Sequence, residues 1–417
     1  MIFSLDVRRA RKGDCLILHF GKPADRGLVV IDGGPSRVYQ PFLKPRLDAL
    51  RAARKLPESA PLPIDLLMIS HIDDDHLAGV LELTGELVDA QRARSPTPYK
   101  VRRLWHNTFD DIVGNDPAHL LAAVTAHFGP AALTGSPNVE GLNPDAALVL
   151  ASVPQGLRLR DDAVALKLAV NPEFDAGLVM SAKSARPVDV GKGLTFRVVG
   201  PMKPELRDLQ KVHDAFLKEH AGKPKTPLAS FTDSSVPNLS SIVVLAECGG
   251  KRMLLTGDAR GDKILAGLEL AGIVKPKGTV HLDVLKMPHH GSDRNMERSF
   301  LERVTADHYV FSGNGENGNP ERATLEMLFE ARGDVADYTV HLTYPLDEID
   351  QARQADWNTE RAKEQKRPSG SRVRPEWSAK TNGLASFFAE HVRFAKKLSI
   401  VDPKKPHLIE LLDPAAV

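Results

Sequence analysis

The residues with the clearest capacity for chemistry form a short cluster after an apolar run. The cluster consists of His71, Asp73, Asp75 and His76. It follows Leu66–Ile69, which has the pattern of a buried strand, and a helical pattern begins at Leu77. Imidazole nitrogens and carboxylate oxygens are the donors that divalent transition metals take in proteins. A solvated acidic turn that caps the helix is the plainer alternative, but this spacing favours a metal site.

Other carboxylates and imidazoles also stand directly after strand-like segments. They are Asp32 after Leu28–Ile31, Asp258 after Met253–Leu255, and His289 with His290 after Leu282–Met287. Because sites in α/β proteins form at the carboxyl ends of strands, we expect these groups to converge on the first cluster. Such a site would hold two divalent metal ions and use a metal-activated water for hydrolysis, without a serine or cysteine nucleophile.

The hypothesis assigns a role to each of these residues. The predicted metal ligands are His71, Asp73, Asp75, His76, Asp258, His289 and His290, and catalytic roles are predicted for Asp75, Asp258 and His290. Asp258 is the carboxylate expected to bridge the two ions. Of His289 and His290, we expect one to bind metal and the other to face the substrate or to support a ligand, and the sequence leaves open which.

Composition indicates a globular protein without a strong overall charge. A length of 417 residues predicts two or three domains or one large α/β unit, and 42% hydrophobic residues allow a substantial core. The formal charge of +1 gives no overall attraction for nucleic acid, so such binding would need a local patch. Cys15 and Cys248 are too few for a disulfide framework. No signal-peptide pattern or long apolar run is visible, so we expect a cytoplasmic protein without membrane contact.

The apolar pattern is strong in two parts of the chain and weak between them. Strands and helices are predicted up to residue 105, and again from a hairpin at 241–255 to a strand at 338–342. The stretch 108–230 has a weaker pattern, with a strand at 194–199 and helices at 116–128 and 206–217. We interpret it as part core and part insertion.

Beyond residue 346 the composition becomes charged and polar. The basic residues of 363–374 surround Pro368-Ser-Gly370, which predicts an exposed loop or linker. A helix at 384–398 and a short strand at 407–412 are predicted to close the chain.

Several motifs together resemble the metallo-β-lactamase superfamily. They are Val29-Val-Ile-Asp-Gly-Gly34, His71-x-Asp73-x-Asp75-His76, Leu254-Leu-Thr-Gly-Asp258 and His289-His-Gly-Ser292. With Gly13-Asp14 before a strand, the set is most similar to the ComEC-like branch. Its best-known members carry this domain as the hydrolase, proposed to be a nuclease, of a DNA-uptake protein. The resemblance covers residues 1–345, and only loosely 108–230.

The resemblance implies a fold as well as a site. The implied fold, of the α+β or α/β class, is a four-layer αββα sandwich with a helical insertion at 108–230 and a dinuclear metal cleft between two sheets. Residues 1–345 would form this hydrolase domain and 346–417 a C-terminal extension, linker-like and then helix and short strand. Asp32 would support a metal-binding histidine through a hydrogen bond.

The sequence departs from the superfamily pattern at three places. Asp73 replaces a histidine, as it does in the ComEC-like branch; Pro237–Ser241 contains no histidine; and Asn319 stands where a histidine is expected. Carboxylate in place of imidazole shifts the preference from zinc toward manganese or magnesium. We therefore expect two divalent ions, either manganese or zinc, with magnesium as a further option. A site that binds a single ion is the alternative.

Hydrolysis of a phosphodiester, in a nucleic acid or a nucleotide, is the leading hypothesis for function. The alternatives are hydrolysis of a small ester, lactone or thioester, and a non-catalytic metal-binding sensor or interaction domain, because the fold does not choose the substrate. The loop Gly313–Gly318 lacks the ending of a P-loop and is interpreted as a cleft wall, with Asn314 and Asn319 contacting substrate. The basic tracts 8–12 and 363–374 are interpreted as solvated faces, with phosphate binding as the alternative. Lys286 is interpreted as structural, and the oligomeric state stays open.

Overall fold

The computed structural model describes most of the chain. It covers residues 1–57, 59–107, 144–175, 177–183, 186–204, 206, 240–367 and 372–415. The predicted helix at 116–128, nearly all of the one at 206–217 and the segment 237–239 lie outside these residues. Among the described residues, no helix is both long enough and apolar enough to cross a membrane.

Short strands account for most of the regular structure near the site. The strands are β1 (Ile2–Val7), β2 (Leu16–Lys22), β3 (Asp25–Ile31), β4 (Leu62–Ile64), β5 (Leu66–Met68), β6 (Tyr99–Val101), β7 (Arg103–Trp105), β8 (Ala169–Val170), β9 (Val188–Gly191), β10 (Leu194–Gly200), β11 (Val243–Cys248), β12 (Lys251–Leu255), β13 (Val280–Lys286), β14 (Val304–Phe311), β15 (Thr339–Leu342), β16 (Leu398–Ile400) and β17 (Leu408–Glu410). The helices are α1 (Lys44–Ala53), α2 (Asp74–Arg92), α3 (Pro144–Ala165), α4 (Gly261–Leu270), α5 (Arg298–Arg303), α6 (Arg322–Arg332), α7 (Leu346–Gln365), α8 (Ala379–Asn382), α9 (Leu384–Glu390) and α10 (Val392–Ala395).

The described strands form two large mixed sheets. The first has the order β17-β1-β2-β3-β5-β7-β8, and the second has the order β16-β15-β14-β13-β12-β11-β10-β9. A separate pair joins β4 to β6. In both sheets a run of antiparallel neighbours gives way to parallel ones, at β3–β5 in the first and at β12–β13 in the second. The parallel strands are those whose carboxyl ends carry the predicted site.

Alternation along the strands divides the apolar side chains between two environments. In β2, Leu16 and Leu18 belong to a core that also contains Phe196 and Met253 of the second sheet, so this core lies between the sheets. Ile17 points to the opposite face, into a separate core under the helices. The alternation follows from the two-residue period of a strand.

Helices cover the outer face of each sheet. The apolar residues of α1 and α2, together with Leu159 of α3, pack on the first sheet. Residues of α4, α5, α6 and α9 pack on the second sheet in the same way. Helix, sheet, sheet and helix therefore form four layers, which confirms the predicted αββα sandwich.

The region after residue 346 differs from the linker-like segment predicted at its start. Leu346–Gln365 is the helix α7, and the single helix predicted at 384–398 is instead α9, α10 and the strand β16. The linker interpretation is wrong for α7. Ile349 and Arg353 are the buried residues of this helix, and the rest of it is so charged and polar that its composition is the same as that of a linker. The predicted closing strand is present as β17, which pairs with β1. The division at residue 345 stays a prediction.

A buried ion cluster joins α1 to β1. Asp6 of β1 lies 2.5 Å from Arg46 Nε and 3.4 Å from Arg8 Nη1. Burial alone would raise the pKa of Asp6, but His19, Arg46 and Arg8 lower it from 3.8 to about 2. The folded-state pKa is therefore depressed, so the cluster contributes its full stability above pH 3.8 and loses it as the pH falls through about 2.

We expect Asp6→Asn to lower the free energy of unfolding by about 2 kcal/mol at neutral pH, because the ionised carboxylate is lost. Urea unfolding followed by circular dichroism measures this difference. It should shrink as the pH falls toward about 2, where the wild-type carboxylate also becomes protonated. The exposed Asp89→Asn serves as the matched control. A difference that is absent at neutral pH, or constant across this pH range, would contradict the assignment.

Candidate metal centre

Asp258 lies at the middle of the candidate site. Its Oδ2 is 3.3 Å from His290 Nε2, 3.5 Å from His289 Nε2 and 3.8 Å from His71 Nε2, and its Oδ1 is 3.3 Å from His76 Nε2. The carboxylate is buried, and the Asp258 backbone N–H donates to Ser241 Oγ at 3.2 Å. Four imidazoles thus present the same ring nitrogen to one carboxylate.

Strand ends from both sheets bring these groups together. His71 follows β5 of the first sheet, whereas Asp258 follows β12 and His289 follows β13 of the second. His76 reaches the site from the first turn of α2, where its N–H and that of Leu77 donate to the Asp73 carbonyl at 3.0 Å. The site therefore forms only where the two sheets meet.

Asp73 and Asp75 add carboxylates on the side where α2 begins. Asp73 Oδ2 is 3.4 Å from His71 Nε2. The two carboxylate oxygens of Asp75 are each 4.0 Å from a ring nitrogen, Oδ1 from His76 Nε2 and Oδ2 from His290 Nε2. The Asp75 side chain is 18% exposed, more than that of Asp73 or Asp258, and it faces the cleft.

The buried polar atoms at the centre fit a metal site. His71 Nε2, His76 Nε2, His290 Nε2 and Asp258 Oδ1 are all buried without a hydrogen-bond partner. Leaving such atoms unsatisfied is costly, and an uncompensated group calls for an explanation. Ligand atoms of His71, Asp75 and His76 lie within 4.8 Å of one another, as do those of a second group that contains Asp258 and His290. Nitrogen and oxygen donors at this spacing suit divalent transition metals.

Asp32 orients two of the histidines. Its Oδ2 accepts from Ser70 Oγ at 2.7 Å and lies 2.8 Å from His76 Nδ1. Because Ser70 gives its only hydroxyl hydrogen to Asp32, its oxygen is left to accept from His71 Nδ1, 3.1 Å away. With Nδ1 protonated in both rings, Nε2 is the nitrogen available to a metal. Asp32 does this from a left-handed backbone conformation with φ of 57°.

A second relay of the same kind reaches the site from the other sheet. Ser312 Oγ donates to Asp14 Oδ1, and His290 Nδ1 lies 3.0 Å from Ser312 Oγ and 3.3 Å from Asp14 Oδ1. Lys286 forms a buried ion pair with Asp14 and donates to the Gly257 carbonyl at 3.2 Å. A carboxylate and a serine therefore stand behind a histidine on each side of the centre.

His289 and His290 both direct Nε2 to Asp258, so the structure brings both predicted alternatives into the site. His290 is buried, whereas the His289 side chain is 27% exposed and its Nδ1 lies 2.8 Å from Asn295 Oδ1. Both residues have positive φ, 47° for His289 and 55° for His290. Positive φ in consecutive non-glycine residues is costly and is characteristic of functional sites.

The pKa values at the centre follow from charges buried close together. Burial would raise the pKa of Asp258, but His290, His76 and His289 hold it well below its usual range. Burial would lower the pKa of His290, but Asp258 and Asp14 raise it to about 9. Burial prevails at His289, whose pKa is lowered. The carboxylates are thus kept ionised, as metal ligands must be.

Close backbone packing fixes the loops around the centre. A Cβ at Gly13 would lie 1.8 Å from the Asp75 carbonyl oxygen, which also accepts the Asp14 N–H at 3.3 Å. A Cβ at Gly33 would lie 2.4 Å from Val80 N of α2. Only glycine permits these approaches, and they hold Asp14 and Asp32 at their histidines.

The remaining predicted residues are also near the site. Asn319 is buried, its Oδ1 has no hydrogen-bond partner, and it lines the cleft beside the centre. Asn314 instead turns to its own loop, since its Nδ2 donates to Glu316 Oε1 at 2.9 Å.

Four further residues hold the centre in place through contacts that the sequence did not predict. They are Ser70 and Ser312, together with Asp14, which was noted only as part of a motif, and Lys286, which was interpreted as structural. One signal was present: Lys286 interrupts an apolar strand, and a lysine buried there requires an anionic partner. The two serines carry no such signal, because serine is common at strand ends.

Comparison with known proteins agrees with this architecture. Residues 11–151 match the family model of the Metallo-beta-lactamase superfamily, a stretch that carries Asp14, Asp32 and the His71–His76 cluster. Microtubule-associated protein 1A of Rattus norvegicus is 41% identical over 54 residues, which are 13% of this chain and only 2% of that protein, and the Homo sapiens protein matches to the same extent.

Solved structures similar to the chain include two bacterial proteins. The metallo-beta-lactamase fold protein YhfI from Bacillus subtilis is 10% identical with a TM-score of 0.36, over 82% of this chain and 97% of that one. Zn²⁺-bound PqqB from Methylobacterium extorquens is 12% identical with a TM-score of 0.32, over 95% of this chain and 87% of that one. With its αββα layers and the match over residues 11–151, the chain has a metallo-β-lactamase fold.

Proposed function

We propose that the protein is a metal-dependent hydrolase that acts on phosphodiesters. The observation that carries the proposal is the Asp258 carboxylate with four histidine Nε2 atoms within 3.8 Å. The proposed ligands are His71, Asp73, Asp75, His76, Asp258, His289 and His290. Two divalent ions, manganese or zinc, would supply an activated water and positive charge for the attacking and leaving oxygens.

The protein's own residues would position the reactants. The two oxygens of Asp258 face different histidines, Oδ1 toward His76 and Oδ2 toward His71, as a bridging carboxylate requires. Asp75 reaches the cleft, and its lowered pKa keeps it ionised, so it can accept a hydrogen bond from the attacking water. Asn319 faces the same cleft and offers an amide to a substrate oxygen.

Cations beside the centre support an anionic substrate. Lys12, Arg260 and Arg294 line the same cleft as Asp75 and His289. A phosphodiester carries a negative charge at its reacting group, whereas an ester, lactone or thioester is neutral there, so these cations favour the phosphodiester. The ComEC-like resemblance points to the same substrate class.

Asp258→Ala should bind less metal and lose turnover, because both ions would lose a shared ligand. The full chain is reconstituted with manganese or zinc, and bound metal is measured by mass spectrometry. Turnover is then followed on bis-p-nitrophenyl phosphate, single-stranded DNA, RNA and p-nitrophenyl acetate. Asp89→Ala is the matched control, since this aspartate is exposed near the end of α2 and its ion-pair partner Arg92 lies outside the cleft.

The outcomes separate the three functional hypotheses. Cleavage of the acetate ester with no cleavage of any phosphodiester would favour the esterase alternative. Bound metal without turnover on any substrate would favour a non-catalytic domain. Full activity in Asp258→Ala would contradict the metal mechanism itself.

Asp32→Asn should weaken metal binding by about 10- to 100-fold, since the carboxylate fixes His76 directly and His71 through Ser70. Asparagine tolerates the positive φ at this position, so the backbone is retained. Competition with a chelator measures the affinity. Ser70→Ala should give a smaller loss, because it removes the partner of His71 and leaves the Asp32–His76 contact. Unchanged affinity in Asp32→Asn would show that Asp32 has no orienting role.

A further inference from the structure

One large cleft connects the candidate metal centre with the C-terminal extension. Its volume is about 1190 Å³, and its lining includes Asp75 and His290 from the centre and Trp357 and Trp377 from the extension. Pockets for single small ligands measure about 300–1,000 Å³. The cleft therefore has room for a substrate that extends well beyond the bond to be broken.

Aromatic and guanidinium groups alternate on the wall that the extension contributes. The half-buried rings of Trp357 and Trp377 meet edge to face, with centroids 5.8 Å apart. The Arg374 guanidinium lies 5.0 Å from the Trp357 centroid, and that of Arg353 lies 5.4 Å from the Trp377 centroid. Grooves that bind single-stranded nucleic acid use this combination, in which bases stack on aromatic or guanidinium planes and cations follow the phosphates.

Hydrogen bonds fix this wall to the loop beside the metal centre. Arg353 Nε donates to the Gly318 carbonyl at 3.0 Å, next to Asn319, and its Nη1 donates to the Asn382 carbonyl at 2.7 Å. Trp357 Nε1 donates to the Pro375 carbonyl at 2.9 Å. The rings are therefore held in place before a substrate arrives, which lowers the entropic cost of binding.

Lysine and arginine side chains outnumber acids in the cleft lining, seven to five. Of the acids, Glu360 and Glu364 are paired with Lys363 and Arg374. The lining cations Lys12, Arg294, Arg367 and Arg372 form no salt bridge with any residue in the described part of the chain. Cations without an internal partner are suited to bind phosphates.

We propose that this C-terminal wall, formed by Arg353, Trp357, Arg372, Arg374 and Trp377, binds the bases and flanking phosphates of a single-stranded nucleic acid. The inference rests on the proposed function, since the scissile phosphodiester would lie at the metal centre. It also selects the phosphate-binding alternative for the basic tract 363–374. Indole rings stack on any base, so little sequence preference is expected.

Binding without metal tests the wall separately from catalysis. Anisotropy of a fluorescein-labelled thymidine dodecamer and of the corresponding uridine dodecamer is measured in EDTA. Trp377→Ala should weaken binding about fivefold or more, and Trp377→Phe should restore most of it. Arg372→Ala should reduce the slope of log affinity against log salt by about 1. Arg393→Ala, exposed in the same extension and outside the cleft, should match the wild type.

Turnover with manganese then distinguishes the two proposals. Trp377→Ala should reduce kcat/KM more for the dodecamer than for bis-p-nitrophenyl phosphate, which has no bases to stack. If the wild type hydrolyses neither compound but binds a dodecamer more tightly than Trp377→Ala does, the proposed function is wrong and the assignment of the C-terminal wall to nucleic-acid binding is retained. If the wild type binds neither strand, or Trp377→Ala binds both as tightly as the wild type with its thermal unfolding unchanged, the wall assignment is overturned.

Discussion

Everything at this site depends on keeping one buried carboxylate, Asp258, ionised among four imidazoles. An isolated buried charge is very unfavourable, so the surrounding donors must be held at fixed distances. No single sheet supplies them, because His71 and His76 come from the first half of the chain and His289 and His290 from the second. The close packing of the two sheets is therefore as much a condition for the site as the ligands are.

The residues that hold the histidine rings in place are also divided between the two sheets. On the first sheet Asp32 acts through Ser70, and on the second Asp14 acts through Ser312. Each serine donates its hydroxyl hydrogen to a carboxylate, and its oxygen is left to accept from a histidine ring, His71 for Ser70 and His290 for Ser312. Lys286 then balances the charge of Asp14, so the second relay is buried without leaving a net negative charge behind His290.

The fold, and the convergence of the central residues on one point, were predictable because their signals are local. A short apolar run followed by His71 or Asp258 indicates a strand and a ligand together, and alternation in strands such as β2 predicts the layers. Ser70 and Ser312 could not be predicted, since hydrogen bonds between distant segments leave no trace in spacing. The helix α7 was hidden because its burial is confined to few residues and its charged surface has the composition of a linker.

The pairing of β17 with β1 has a consequence for biosynthesis. Ser4 stands opposite Glu410, so the outer edge of the first sheet gains its partner only when nearly all of the intervening chain is available. Until then β1 presents unpaired N–H and C=O groups, the kind of strand edge that promotes aggregation. A product truncated before residue 408 would keep every proposed metal ligand and still expose that edge. Such a truncation would lower the amount of folded protein in the cell, because chaperones and proteases recognise the exposed edge, and it would leave the metal ligands themselves unchanged.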